Sequence, residues 1–296
     1  MTDRPLAVDR SQLGLVQAFG AFLLWGVLPL YFRALDNSPI FEIMAHRITW
    51  TVLLLIPLVI VLRRSSTVVT AFQSRRLVGV FAVTTVLVSL NWLIYMYAIS
   101  IERLLDASLG YYINPLINVA LGVIFLGETL NRRQMLAVGL AAAGVLNQTI
   151  TLGAFPWIAL GLALTFGFYG LIRKRERIDP IGGLLVETSI ILPIAVFGVF
   201  WFAVTGTGRF AVGGLWESTL LVGTGVVTAT PLILFMMGAQ KLRYSTIGLM
   251  QYLAPTIQFL IAVLIFKEPF GVANIATFLL IWSGLAIYTW DALTRR

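Results

Sequence analysis

The sequence predicts an all-α, polytopic membrane protein: ten transmembrane helices in two inverted-topology five-helix repeats around a central cavity. Three observations predict it: composition, the spacing of apolar runs, and an internal repeat. Of 296 residues, 59% are hydrophobic and 11% charged, and the mean hydropathy is +0.92. A soluble domain carries about 25% charged residues. A chain of this length cannot hide so much apolar surface from water, so lipid must be the solvent for much of it.

Crossing the hydrocarbon takes about 20 apolar helical residues. Ten runs qualify: 13–33, 40–62, 77–99, 106–126, 133–150, 155–173, 181–204, 217–239, 245–266 and 271–292. They are too long for strands and lack period-two alternation. The first run carries Trp25 near its middle, away from the headgroup belt where Trp usually sits. The second holds His46, the single histidine, beside Arg47. In the third, Asn91, Tyr95 and Ala98 share a helical face. In the fourth, Tyr111, Pro115 and Asn118 share another, with Asn114 beside them. The fifth and tenth are poor in polar residues. The fifth contains GLAAAG (Gly139 to Gly144), so this pair reads as an outer scaffold or a homodimer surface. The sixth carries GLALTFG (Gly161 to Gly167). The seventh contains Glu187 and ends near Trp201, which suits the interfacial belt. The eighth is interrupted by Thr230-Pro231. The ninth places Gln251, Pro255 and Gln258 on one face, next to Tyr252.

Lysine and arginine in the connections orient the chain. Sixteen of the 21 lie at the termini and on alternate connections (among them Arg63, Arg64, Arg75, Arg76 and Arg173 to Arg177). Only Arg33, Arg103, Arg209 and Lys267 lie on the other side, and Arg47 lies within a run. The positive-inside rule then puts both termini in the cytoplasm. The net charge of +8 is read as topology, not as nucleic-acid binding. The N-terminus lacks the cleavage site of a signal peptide. Cysteine is absent, which removes disulfides and thiolate metal sites, and no metal or cofactor is expected.

The repeat is visible when NPLINVALGVIFLGETL (Asn114 to Leu130) is set against APTIQFLIAVLIFKEPF (Ala254 to Phe270). Pro115 aligns with Pro255, Asn118 with Gln258 and Glu128 with Glu268. GAFLLWG (Gly20 to Gly26) matches GLALTFG upstream. Residues 1–150 and 151–296 thus form two copies of one unit. Each copy has an odd number of spans, so the second must enter the membrane upside down. Such repeats are a transporter signature, with the substrate site near the midplane between the halves.

WGVLPLYFRAL (Trp25 to Leu35), EIMAHRITW (Glu42 to Trp50), LNWLIYMYAI (Leu90 to Ile99) and LDASLGYYINPLINVALGVIFLGETL (Leu105 to Leu130) resemble the RarD-type branch of EamA permeases, in the drug/metabolite transporter superfamily. STIGLMQYLAPTIQFLIAVLIFKEP (Ser245 to Pro269) is similar to the matching second-half segment. The resemblance runs from about residue 13 to 292. It implies a bacterial inner membrane and transport of a small organic solute. Relatives such as the YddG-type proteins export amino acids, including aromatic ones.

The polar residues inside spans are the candidates for a site. Arg at a span centre costs about 2.5–3.5 kcal/mol on insertion scales. Arg47 therefore either snorkels to the outer headgroups or, with His46, faces a wet cavity, where Arg could hold a substrate carboxylate and His could titrate. Glu187 corresponds to His46 in the repeat. Inversion places the two at different depths, as separate polar points and not an ion pair. Asn91, Asn114, Asn118, Gln251 and Gln258 either line the cavity or bond helix to helix, the latter at about 0.6 kcal/mol each. Trp25, Tyr95, Tyr111, Tyr112 and Tyr252 are candidate walls for an amphipathic ligand. Glu128 and Glu268 are expected to bond locally in their loops. Gly26, Gly110, Gly167 and Gly248 serve as hinges or as close-packing points.

A carrier of a small solute, embedded in the lipid bilayer, is the leading expectation. One histidine, no cysteine and a single deep carboxylate leave an intramembrane enzyme little raw material. A channel would need charged rings or filter loops. The chain has no phosphate-binding G-x-x-x-x-G-K-[ST] loop, so ATP does not drive it.

Overall fold

The computed structural model describes residues 10–127, 129–152, 155–176, 179–239, 241–242 and 250–294. Among them the secondary structure is helical throughout: α1 (Arg10–Arg33), α2 (Ile40–Val61), α3 (Ser65–Gln73), α4 (Arg75–Ser100), α5 (Leu104–Leu126), α6 (Arg132–Leu152), α7 (Trp157–Glu176), α8 (Pro180–Thr205), α9 (Gly214–Ala239), α10 (Leu253–Leu260, continued by a π turn over Ile261–Ile265) and α11 (Val272–Thr294). Each apolar run falls on a helix. The stretch 245–249 of the ninth run lies outside the described residues, as do Glu128 and Gly248.

Local chemistry sets the helix ends. The Asp179 side chain accepts the Gly182 N–H at 2.8 Å, with Pro180 as the first helical residue of α8. Asn131 and Gln134 form a reciprocal capping box at the start of α6. Gly127 (φ 66°) closes α5 and Gly206 (φ 65°) closes α8, in the left-handed region that costs glycine nothing. α5 bends by 42° between Leu104–Asn114 and Leu116–Phe125, at Pro115, which has no N–H to give to the helix.

Five helices are long and apolar enough to cross a membrane: Gln12–Arg33, Ile40–Val61, Arg75–Ser100, Ile181–Thr205 and Gly214–Phe235. The bent α5 makes a sixth. Large exposed apolar side chains such as Phe41, Ile60, Ile124 and Phe200 lie on their outer faces, and Ile150 of α6 and Leu264 of the π turn are exposed likewise. Helix α3 was not expected. It occupies the basic connection after α2. At nine residues it is too short to cross, and it buries Ala71 while leaving Val69 and Phe72 exposed.

The main packing joins one half of the chain to the other. α1 packs on α9 and α10, α7 on α4 and α5, α2 on α8 and α9, α4 on α8, α5 on α10, and α6 on α11. Exchanging α1 with α7, α2 with α8, α4 with α9, α5 with α10 and α6 with α11 maps this set of pairs onto itself. Single contacts follow the same exchange: Gly26 lies against Ile257, and Gly167 against Ile117. At Gly110 a Cβ would come within 2.7 Å of the Ala159 carbonyl oxygen, so glycine lets the α5 and α7 backbones touch. Three of the four candidate hinge glycines are thus close-packing points. In the GLAAAG segment, Gly144 meets Ile281 of α11 within the chain, while Gly139 faces open space.

Side-chain links tie helix ends in two groups. One group holds Arg33 to Glu102 (2.6 Å), the Glu42 carboxylate to the Arg209 and Phe210 N–H groups (2.9 Å), and Glu268 to the Leu104 and Leu105 N–H groups (2.6 and 2.8 Å). The other holds Arg64 to Asp179 (2.9 Å), Arg76 to Glu176 (2.7 Å), Asn131 to Asp291 (2.5 Å) and Lys241 to Gln17 (2.7 Å). Contrary to expectation, Glu268 does not bond locally in its loop. It caps α5, whose first N–H groups need acceptors, and burial raises its carboxyl above the ordinary value.

Candidate functional site

Seven consecutive residues of α2, Glu42 to Ile48, are buried. Helical spacing sends neighbouring side chains to different partners. Glu42 holds the backbone of the α8–α9 loop. His46 lies one turn on, 2% exposed, with Nδ1 accepting the Trp50 indole N–H at 3.1 Å and its ring 4.6 Å from that of Phe210. Arg47 turns toward the middle of the bundle. Its Nε donates to Thr228 Oγ1 of α9 at 2.9 Å. Its guanidinium lies 4.1 Å from the Trp92 ring of α4 and 5.4 Å from the Phe32 ring of α1. At 5% exposure Arg47 does not snorkel to the headgroups. The two cation–π contacts stabilise a charge that water cannot reach.

Tyr95 and Tyr111 stand within electrostatic reach of this guanidinium, their rings 5.9 Å apart. Among the described residues, the buried polar atoms without a hydrogen-bond partner include Arg47 Nη1, the Tyr95 hydroxyl, Asn114 Oδ1 and Gln258 Oε1. An unsatisfied buried polar group costs about 1–3 kcal/mol, and a water or a ligand is its usual partner.

The remaining candidates spread around this centre. Trp25 packs 5.6 Å from Phe22 and from Phe235, and its carbonyl accepts from Gln258 Nε2 at 3.1 Å. Asn91 donates to the Leu162 carbonyl and to Thr165 Oγ1, both at 3.0 Å, and so clamps α4 to α7. Asn118 is exposed on α5, whereas its counterpart Gln258 is buried. Gln251 and Tyr252 are half-buried at the start of α10. Tyr112 faces away from the centre, toward Thr256, Phe278 and Trp282. The structure therefore gathers Tyr95 and Tyr111 around Arg47, joins Trp25 to Gln258, and leaves His46 and Asn91 in clusters of their own.

Phe32, Trp92 and Thr228 were missed by the sequence reading. Trp92 had a signal: it precedes Tyr95 by three residues and shares its face. Phe32 and Thr228 meet Arg47 only through tertiary packing.

Glu187 is 1% exposed and pairs with Arg173 at 2.9 Å, while the Tyr169 hydroxyl donates to it at 3.1 Å. Both partners come from α7. His46 and Glu187 are two separate polar points and do not form an ion pair with each other.

Long apolar helices with lipid-compatible outer faces and polar groups turned inward define an integral membrane protein. Residues 12–147 match the EamA-like transporter family. An uncharacterized transporter of Vibrio cholerae is 44% identical over 283 residues, covering 96% of this chain and 94% of the relative. Protein RarD of Escherichia coli is 40% identical over 284 residues, 96% of each chain. A chloramphenicol-sensitive protein RarD of Pseudomonas aeruginosa is 30% identical over 286 residues, 95% of each. A solved crystal structure superposes with a TM-score of 0.57 at 20% identity over 94% of this chain and 97% of the other, a likeness of fold alone. The chain belongs to the RarD-type branch of the EamA permeases.

Proposed function

We propose that this chain is a secondary carrier in a bacterial inner membrane that exports a small organic solute by alternating access, amino acids (aromatic ones included) or related metabolites being the substrates. Residues 1–150 and 151–296 are the two inverted repeats, with ten spans and cytoplasmic termini. The observation that carries this reading is the sorting of helix-end links. Every link in the first group joins ends that ten alternating crossings place outside, and every link in the second joins ends they place inside. A missed or added crossing in either half would put partners on opposite faces of the membrane. The exchange symmetry of the helix pairs supports a pseudo-twofold axis between the halves.

The solute sits between the halves. Tyr95, Tyr111, Asn114, Gln258 and Trp25 line its site, and His46, Asn91, Asn118, Gln251 and Tyr252 border it. Rocking of one half on the other exposes the site to each side in turn. The exposed Asn118 and buried Gln258 fit a form open at the cytoplasmic half and closed outside.

The test is flux in proteoliposomes with labelled amino acids and neutral drugs, with and without a pH gradient. A carrier gives saturable flux and counterflow. Flux that does not saturate and shows no counterflow would replace the carrier with a channel. The name of the Pseudomonas relative makes chloramphenicol a sensible member of the drug panel.

A further inference from the structure

We infer that α3 is an interfacial helix that binds anionic phospholipid: Val69 and Phe72 sink among the acyl chains, and Arg63 and Arg75 hold the headgroups. The inference needs α2 and α4 to cross the membrane and does not depend on the carrier reading.

The place of the helix comes first. α3 fills the connection between two spans, Ile40–Val61 and Arg75–Ser100. Both its ends are therefore held at one face of the bilayer. Nine residues make about 13 Å of helix, too short to cross. Arg63, in the left-handed region (φ 54°), turns the chain out of α2, and the Arg64 N–H closes that turn on the Val59 carbonyl at 2.8 Å. The exchange that relates the two halves leaves α3 without a counterpart, since α8 runs to α9 through a loop. Packing of the repeat thus does not call for this helix.

At about 100° per residue, α3 has three faces. Thr67, Val68 and Ala71 meet the protein. Thr67 lies against Gly182 of α8, and Val68 and Ala71 pack with Phe81 of α4 and Val186 of α8. Ser66, Thr70 and Gln73 form an exposed polar face. Between these two lies a third face, Ser65, Val69 and Phe72, on which Val69 is 52% and Phe72 50% exposed. A single exposed apolar residue is ordinary. Two on one face of a helix held at the bilayer surface are what an interfacial helix presents to the acyl chains.

Charge selects the lipid. Four arginines bracket α3. Arg64 pairs with Asp179 and Arg76 with Glu176. Arg63 and Arg75 are exposed, and among the described residues no carboxylate lies within 4.0 Å of either. Basic residues beside a span attract anionic headgroups over zwitterionic ones, and the guanidinium fork suits a phosphate. The membrane is already present at both ends of α3, which favours it over a soluble protein as the partner of this face.

The chain has no cysteine, so Phe72→Cys and Thr70→Cys can each carry a single bimane label. The labelled full chain is placed in phosphatidylcholine nanodiscs containing a minor share of acyl-brominated lipid, either phosphatidylglycerol or phosphatidylcholine. Bromine quenching is expected to be stronger at Phe72→Cys than at Thr70→Cys. At Phe72→Cys it should favour phosphatidylglycerol about fivefold, the scale of one arginine at an anionic surface. Adding Arg63→Gln and Arg75→Gln should bring the two lipids to parity. Quenching at Phe72→Cys no stronger than at Thr70→Cys would leave the face in water, open to a soluble partner, and overturns the inference. Equal quenching by the two lipids overturns it too, as does a preference unchanged by the two arginine substitutions. Should that variant not fold, the chain with both arginines decides: its preference must appear in dilute buffer and fall in about 0.5 M salt.

Discussion

Among the described residues, Arg47 is buried and Arg173 keeps a side chain 13% exposed, and the two are handled in opposite ways. Arg173 of α7 meets Glu187 of α8 at 2.9 Å, with the Tyr169 ring 5.3 Å from its guanidinium and the Asp179 carbonyl accepting from it at 3.4 Å. Arg47 of α2 has aromatic faces and one threonine hydroxyl, and no carboxylate within reach among the described residues. The first is a carboxylate–guanidinium pair that links two helices. The second is a guanidinium without a carboxylate. A paired charge speaks for structure; an unpaired one, kept at a cost inside a membrane protein, speaks for a ligand.

The contrast can be broken by mutation. Glu187→Gln leaves Arg173 without its carboxylate. It should cost about 3 kcal/mol, the low end for a broken buried pair, since the Asp179 carbonyl remains. Thermal unfolding in detergent reads this as a clear drop in midpoint. Arg47→Gln, by contrast, should leave the midpoint unchanged or higher, because removing an uncompensated buried charge removes its desolvation cost. A drop as large as that of Glu187→Gln would mean that Arg47 is also structural, and the contrast would be gone.

Glu42→Ala should follow, at about 2 kcal/mol, because the Arg209 and Phe210 N–H groups lose a charged acceptor. Hydrogen exchange of that loop should rise with it; an unaltered loop would show that the carboxylate does not hold it. Asn91→Ala is smaller, about 1 kcal/mol, the value of an interhelical amide clamp. Its effect on flux should come through α4–α7 packing, so solute affinity should hold while folded yield falls. Lost affinity with full stability would move Asn91 into the binding site. Smallest is Arg33→Gln. It breaks an exposed pair with Glu102, should cost less than about 1 kcal/mol and should fade in salt.

Much of the fold was legible in the sequence because lipid imposes a coarse rule: long apolar runs become helices, and the runs beginning at Leu13, Ile40 and Leu77 start within three residues of α1, α2 and α4. The repeat was read from Pro115 with Pro255 and from Gly26 with Gly167; the packing of Gly26 on Ile257 and of Gly167 on Ile117 is in keeping with it. Helix α3 was not legible, because nine residues between arginines read as a loop to any test built on span length. The site was legible only in part. Composition marks Arg47 as out of place, and helical spacing leads from Tyr95 to Trp92. Nothing in the chain order brings Phe32 and Thr228 to the same guanidinium, 15 residues before it and 181 after it. Likewise Glu268 reads as a loop residue until folding sets it on the first N–H groups of α5.

The central claim is that the second half crosses the membrane upside down relative to the first. The chain has no cysteine, so one can be introduced at a time without background. Ser66 and Thr207 are both exposed and follow corresponding helices in the two halves, α2 and α8. Ser66→Cys and Thr207→Cys should be labelled by an impermeant thiol reagent from opposite faces of oriented vesicles, Ser66→Cys from the cytoplasmic side and Thr207→Cys from the outside. Labelling of both from the same face would contradict the inverted repeat and, with it, the carrier built on it.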